Sequence, residues 1–272
     1  MGVTRFRELP GVRVAYHVDG DGPPLVMVHG WCGSRADLDP LARDLATDHR
    51  VLSLDLPWHG QSTANSTYWT MDDLGALVDA IAVDEGMRGA PVVGHSLGAA
   101  VAVEAVLAGE GHHVVALDGL TFMHLYPRQN PAAVEQGLAP YRQDFPAGVR
   151  GLCERAAGPD PDPAFLEALA DRMDDIHPAA AIEMMQGLME WDMDAALARC
   201  DALGTRVDVI AARSMLSPSA IDAYGHRFDI TVTDLGGHFF PLQDPAGTAA
   251  LVRQALAVTR HPARGCSNPP SG

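Results

Sequence analysis

The sequence predicts an α/β protein built on a mainly parallel sheet with helices on both faces. Three observations carry this expectation. Short apolar runs of strand length alternate with segments of helical spacing. In "PVVGHSLGAAVAVEAV", residues 91–106, a serine stands between two glycines where one such run gives way to an alanine-rich helix. The alternation stops near Thr121 and resumes after about Arg199, as it would around an insertion.

In chain order, "VRVAYHV" (12–18) reads as a strand ending at the turn "DGDGPP", and "PLVMVHG" (24–30) as a buried strand. A helix is expected around 36–46, a strand at "RVLSLDLP" (50–57) and a helix at "MDDLGALVDAIAVDEG" (71–86). "APVVGHS" then leads through Ser96 into a helix, and "HVVALDGL" (113–120) is again a strand. From Thr121 to about Arg199 the chain is helical and rich in Pro, Met and Ala, broken at "YPRQNP", "GPDPDP" and "IHPAAA". The core resumes with the strand "TRVDVIAA" (205–212), a helix near 218–225, the strand "FDITVTDL" (228–235) and a last helix ending near Ala257. The domain expectation is therefore a core of residues 1–120 and 200–260, a helical insertion over 121–199 and a disordered tail over 261–272, where Pro, Gly and Ser accumulate.

Composition narrows the function. A chain of 272 residues with 47% hydrophobic and 20% charged side chains can bury a sizeable core. Its 35 acidic against 19 basic residues leave a formal net charge of -16, which repels phosphate backbones and anionic lipid, so neither nucleic acid nor membrane is expected as a partner. Four scattered cysteines (Cys32, Cys153, Cys200, Cys266) show no metal-ligand spacing, and no metal or organic cofactor is expected. They fit a reducing compartment. With no signal-peptide h-region at the N-terminus and no long apolar window, a cytoplasmic location is expected. Oligomeric state is not legible.

The G-x-S-x-G at 94–98 forms a sharp turn that lifts the Ser96 hydroxyl above the sheet, with Gly94 and Gly98 removing side chains that would clash. The helix N-terminus that follows places amide donors beside it. Together with "VMVHGW" (26–31), "LDLPWHGQS" (54–62), "MEWDMDAAL" (189–197) and "LGGHFFPLQDP" (235–245), this motif resembles the α/β-hydrolase family over essentially the whole chain. The resemblance implies an eight-stranded sheet, a cap at about 121–199 and an active site beneath it. It also implies an oxyanion hole made by the backbone amides of Trp31 and Leu97. His29, His59 and His95 read as structural, and Trp58, where relatives carry glycine or arginine, is expected to narrow the pocket.

His238, last in chain order and preceded by two glycines that free its loop, is the expected base. The expected place for the acid, after the strand at 205–212, reads "RSMLSPS" and holds no carboxylate. Asp222 lies farther on and Asp208 within the strand. Asp118, closing the strand at 113–120, takes the role instead. A minority of the family place the acid there, including some haloalkane dehalogenases, zearalenone-type lactonases and cofactor-free quinolone dioxygenases. The expected reaction is hydrolysis of a small carboxylic ester or lactone with an apolar moiety, through an acyl-enzyme on Ser96. In the insertion, Met185, Met189 and Trp191 belong to an apolar stripe expected to line the pocket. Two alternatives remain: a quinaldine-type cofactor-free dioxygenase using the His/Asp pair as base, and a hydrolase-derived receptor without turnover.

Overall fold

The structure, a computed structural model, describes residues 3–257 except 123 and 160. The tail expected to be disordered, 261–272, lies outside the described residues.

A hairpin opens the chain. β1 (Arg5–Leu9) and β2 (Val12–Asp19) pair antiparallel around Gly11, whose φ of 77° suits glycine. β1, "RFREL", is exposed along most of its length and carries no apolar alternation, which is why the sequence shows no strand there. β3 (Pro24–Val28), β4 (Arg50–Leu54), β6 (Val92–His95), β7 (His113–Leu117), β8 (Arg206–Ala212) and β9 (Asp229–Thr233) follow, with a two-residue β5 (Thr63–Ala64) clipped to β2. The strand order is β1-β2-β4-β3-β6-β7-β8-β9. From β4 to β9 every neighbouring pair is parallel. The main path thus has the eight strands expected, and β5 makes the sheet nine-stranded.

Two apolar layers cover the sheet. On one face α2 (Met71–Asp84) packs against α3 (Leu97–Ala108), which is buried from Leu97 through Leu107. Its run of Ala and Val has no polar face because sheet, α2 and later helices enclose it on all sides. On the other face lie α1 (Arg35–Leu45), α10 (Phe240–Gln243) and α11 (Pro245–Ala257), with a core that includes Leu25, Leu41, Val93 and Phe240.

Between β7 and β8 come α4 (Pro131–Gln143), α5 (Phe145–Ala156), α6 (Pro163–Asp174), α7 (Pro178–Glu190) and α8 (Met193–Leu203). α8 runs past residue 199 and leads directly into β8. The prolines that break this segment in the sequence are helix starts: Pro131, Pro163 and Pro178 each follow a residue whose side chain accepts from a first-turn amide, namely Asn130, Asp162 and His177. Long-range hydrogen bonds tie the insertion to the core, and three of them come from its helices α6, α7 and the turn before α8. Arg172 Nε donates to Asp37 Oδ1 at 3.0 Å, Trp31 Nε1 to the Ala181 carbonyl at 2.7 Å, and Trp191 Nε1 to Glu104 Oε1 at 2.7 Å. α9 (Pro218–Tyr224) joins β8 to β9. Cys32, Cys153 and Cys200 are buried free thiols. Among the described residues no helix is long and apolar enough to cross a membrane.

Candidate active site

The chain leaves β3 toward β4 on one side and returns to β6 on the other, so the strand order reverses at β3 and β6. At such a switch point the loops beyond the carboxyl ends of the strands diverge and leave a crevice. The loop after β3 carries Trp31, and the turn after β6 carries Ser96.

Ser96 has φ 56° and ψ -120°, a left-handed strain that points its hydroxyl out of the sheet. The bend is tight enough to exclude side chains on both flanks. A Cβ on Gly98 would lie 2.5 Å from the His29 carbonyl oxygen, and one on Gly94 would overlap the Gly98 carbonyl. Immediately after Ser96, Leu97 begins α3. The amides of Trp31 and Leu97 donate to no backbone carbonyl among the described residues.

His238, between β9 and α10, stands over the serine. Its Nε2 is 2.9 Å from Ser96 Oγ, and its Nδ1 is 2.7 Å from Asp118 Oδ2. The buried carboxylate of Asp118 can only accept, so Nδ1 carries the proton and Nε2 offers its lone pair to the serine hydroxyl. Asp118 closes β7 with φ 45°, donates its amide to the Ile210 carbonyl at 2.8 Å and accepts the Ala212 amide on Oδ1 at 2.8 Å. The end of β8 therefore supplies Asp118 with a backbone donor. The other carboxylates weighed from sequence lie elsewhere. Asp222 is exposed on α9, and Asp208 pairs with His113 at the opposite end of β8.

The two glycines before His238 serve close approach rather than loop freedom. A Cβ on Gly237 would overlap the backbone of Ala157 and Gly158, and the His238 amide donates to the Ala156 carbonyl at 2.7 Å. The end of α5 is thereby docked on the His238 loop. His95 braces the same loop from below, its Nε2–H donating to the His238 carbonyl at 2.9 Å. Burial, aided by the neighbouring His238 imidazole, pushes the His95 imidazole down to about 3, and burial with His29 does the same for His59. His29 is lowered too, mainly by burial, and its Nε2 accepts the Leu56 amide at 3.0 Å. All three are neutral framework groups.

A cavity of about 250 Å³ opens above Ser96. Trp31 and Met185 line it, along with Phe122, Met173 and Met215, which the sequence did not single out. Phe122 sits edge-on to the His238 ring with centroids 5.2 Å apart. Trp58, Met189 and Trp191 lie outside it, correcting three expectations. Trp58, at φ 66°, donates its indole N–H to the Ser66 carbonyl, and its ring lies 5.0 Å from that of His177 at a tilt of 38°. Met189 packs against Gly137 of α4, and Trp191 bonds Glu104 of α3. A helix stripe reveals which side chains are buried, not which neighbour buries them.

A catenated Ser–His–Asp hydrogen-bond chain beside two free amides can move a hydroxyl proton to the imidazole and hold an oxyanion. Comparison with known proteins bears on the family and the fold. Residues 25–251 match the model of a family described as the alpha/beta hydrolase family. Esterase YbfF of Escherichia coli K12 is 37% identical over 100 residues, covering 35% of this chain and 38% of that one. The curated relatives matched are covered over 22% to 62% of their own length. Among solved structures, an esterase from Exiguobacterium antarcticum superposes with a TM-score of 0.79 at 15% identity, covering 94% of this chain and all of that one. The enol-lactonase of Burkholderia xenovorans LB400 superposes with a TM-score of 0.77 at 16% identity over 93% of this chain and all of that one.

Proposed function

The chain belongs to the alpha/beta hydrolase family, and from that premise we propose that it cleaves a carboxylic ester or lactone with an apolar moiety through an acyl-enzyme on Ser96. The observation that carries this reading is the continuous bonding from Asp118 through His238 to Ser96, at 2.7 and 2.9 Å.

In the proposed cycle His238 Nε2 takes the Ser96 proton as Oγ attacks the carbonyl carbon. The imidazolium so formed is stabilised by Asp118, which also holds the tautomer. The carbonyl oxygen becomes an oxyanion that accepts from the Trp31 and Leu97 amides, and losing one such donor typically costs about 100- to 1000-fold in rate. His238 returns the proton to the leaving alkoxide. Water then repeats the sequence on the acyl-enzyme, releasing the acid and restoring Ser96. The insertion helices act as a cap over the cavity, and Met185, Met173 and Met215 give it adaptable apolar walls. An esterase and a lactonase among the solved folds that superpose support both substrate forms.

A serine-directed fluorophosphonate tests the assignment. It should label Ser96, and Ser96→Ala should lose both labelling and turnover of esters and lactones, in air and under nitrogen alike. Near-normal turnover by the alanine variant, or turnover that needs dissolved oxygen, would overturn it in favour of the dioxygenase chemistry.

A further inference from the structure

All 19 basic residues are arginines, and most described ones face a carboxylate. Arg155 does not. It lies in the last turn of α5, and the residues one turn earlier on its own helix are Gly151 and Leu152, so no acid of that helix comes within reach. It nonetheless lines the cavity above Ser96, as do Leu152 and Ala156, three and one positions away on the same helix face.

The other charged group lining that cavity is already satisfied. Asp37 pairs with Arg172 at 3.0 Å and accepts the Ser34 amide at 2.8 Å. His124, also on the lining, is held toward its neutral form by burial and then by the nearby Arg155 charge. The cavity thus has largely apolar walls, Ser96 and, at its exposed side, one cation that faces no carboxylate among the described residues.

Arg155 is also held in place. The next residue, Ala156, accepts the His238 amide at 2.7 Å, so the turn that carries the arginine is fixed to the loop that carries the base. Gly151 leaves room for the guanidinium to lie along the helix, since a Cβ there would be 3.0 Å from Nη1. A cation positioned against the catalytic loop in an acidic molecule is suited to an anion brought in by the ligand.

We propose that Arg155 recognises a carboxylate or phosphate at the non-reacting end of the substrate, making the preferred substrate an ester or lactone with an apolar body and an anionic terminus. This rests on the serine-hydrolase reading and narrows it. A guanidinium pairs such a group bidentately, and charge-assisted bonds of this kind are among the stronger ones. Only the far end of the molecule is involved, so the effect belongs to binding.

The test compares the monomethyl ester of a medium-chain dicarboxylic acid with the same ester bearing a carboxamide in place of its free carboxylate. A phosphate-ended ester of equal length forms a third arm, and whichever anion gains more over the carboxamide names the source. Wild type should prefer an anionic ester by about 10-fold or more in kcat/KM, expressed in KM, with the preference shrinking as salt is raised. Arg155→Gln should bring the ratio close to one, and Arg43→Gln, an exposed arginine of α1 off the cavity, should leave the ratio as in wild type. Equal kcat/KM for all three esters in wild type, or a ratio that survives Arg155→Gln, would overturn the proposal. Calorimetric binding of the same esters to the Ser96→Ala protein reads the same ratio without turnover. Anion-selective binding without turnover in wild type would therefore sustain the Arg155 assignment while sinking the hydrolase reading.

Discussion

At the scale of single residues, the proposed chemistry turns on the position of Asp118. Its carboxylate is fully buried, one oxygen held by the Ala212 amide and the other by His238. A carboxylate anchored in this way keeps the imidazole in one tautomer and one orientation. Asp118→Asn should therefore lower kcat on the order of 10⁴-fold, because the amide can present a donor where Nδ1–H needs an acceptor. Asp222→Asn, on the exposed face of α9, should leave kcat within about twofold, and steady-state kinetics on one aryl ester decides between the two carboxylates. Ser96 and His238 were legible in the sequence because local spacing and chain order define them. Asp118 was legible by exclusion, through the missing carboxylate after the strand at 205–212. Trp58 misled because a left-handed backbone at that one residue turns the indole toward Ser66, and no sequence pattern records it. Arg155 went unread for a related reason: an arginine in a last helical turn is equally at home answering the helix dipole.

Among the elements, α7 divides its apolar face between two tasks. Met185 reaches the cavity, while Met189, one turn on, is 3% exposed and packs on α4. Met185→Ala should enlarge the site and shift the acyl-chain optimum of kcat/KM toward longer chains, each further buried methylene contributing about 0.8 kcal/mol. Met189→Ala should instead cost about 2–5 kcal/mol of stability, read by urea denaturation, and leave the chain-length profile unaltered. Identical profiles for both variants and wild type would remove Met185 from the pocket wall. Element types and order were largely readable, since period and proline punctuation are local signals. β1 escaped because an exposed edge strand needs no apolar face, and the placement of α4–α8 over the sheet depends on long-range contacts such as Trp191 with Glu104, which local pattern cannot encode.

For the whole molecule, buried imidazoles couple stability to acidity. His59 and His95 are pushed down to about 3, chiefly by burial, and the unfolded chain binds their protons near the ordinary value of 6.5. Between those limits the unfolded state holds more protons than the native one. Stability is thus complete above about pH 6.5 and falls as pH drops toward about 3, by up to about 1.4 kcal/mol per pH unit for each histidine. His59→Asn, which can keep a donor for the Pro57 carbonyl now bonded at 2.8 Å, should flatten this slope in urea midpoints taken from about pH 7 to pH 4. A slope as steep as wild type would mean that His59 does not contribute. The place of Asp118 at the end of β7 has a consequence of another kind. Because the end of β8 gives Asp118 its main-chain donor through Ala212, the segment that follows, Arg213–Ser217, carries no reacting group in the proposed mechanism, while Met215 lines the cavity. On the proposed mechanism selectivity and reactivity are thereby carried by separate segments, so this short stretch is a natural place to vary sequence, by evolution or by directed libraries, without altering the Ser96–His238–Asp118 contacts beneath it.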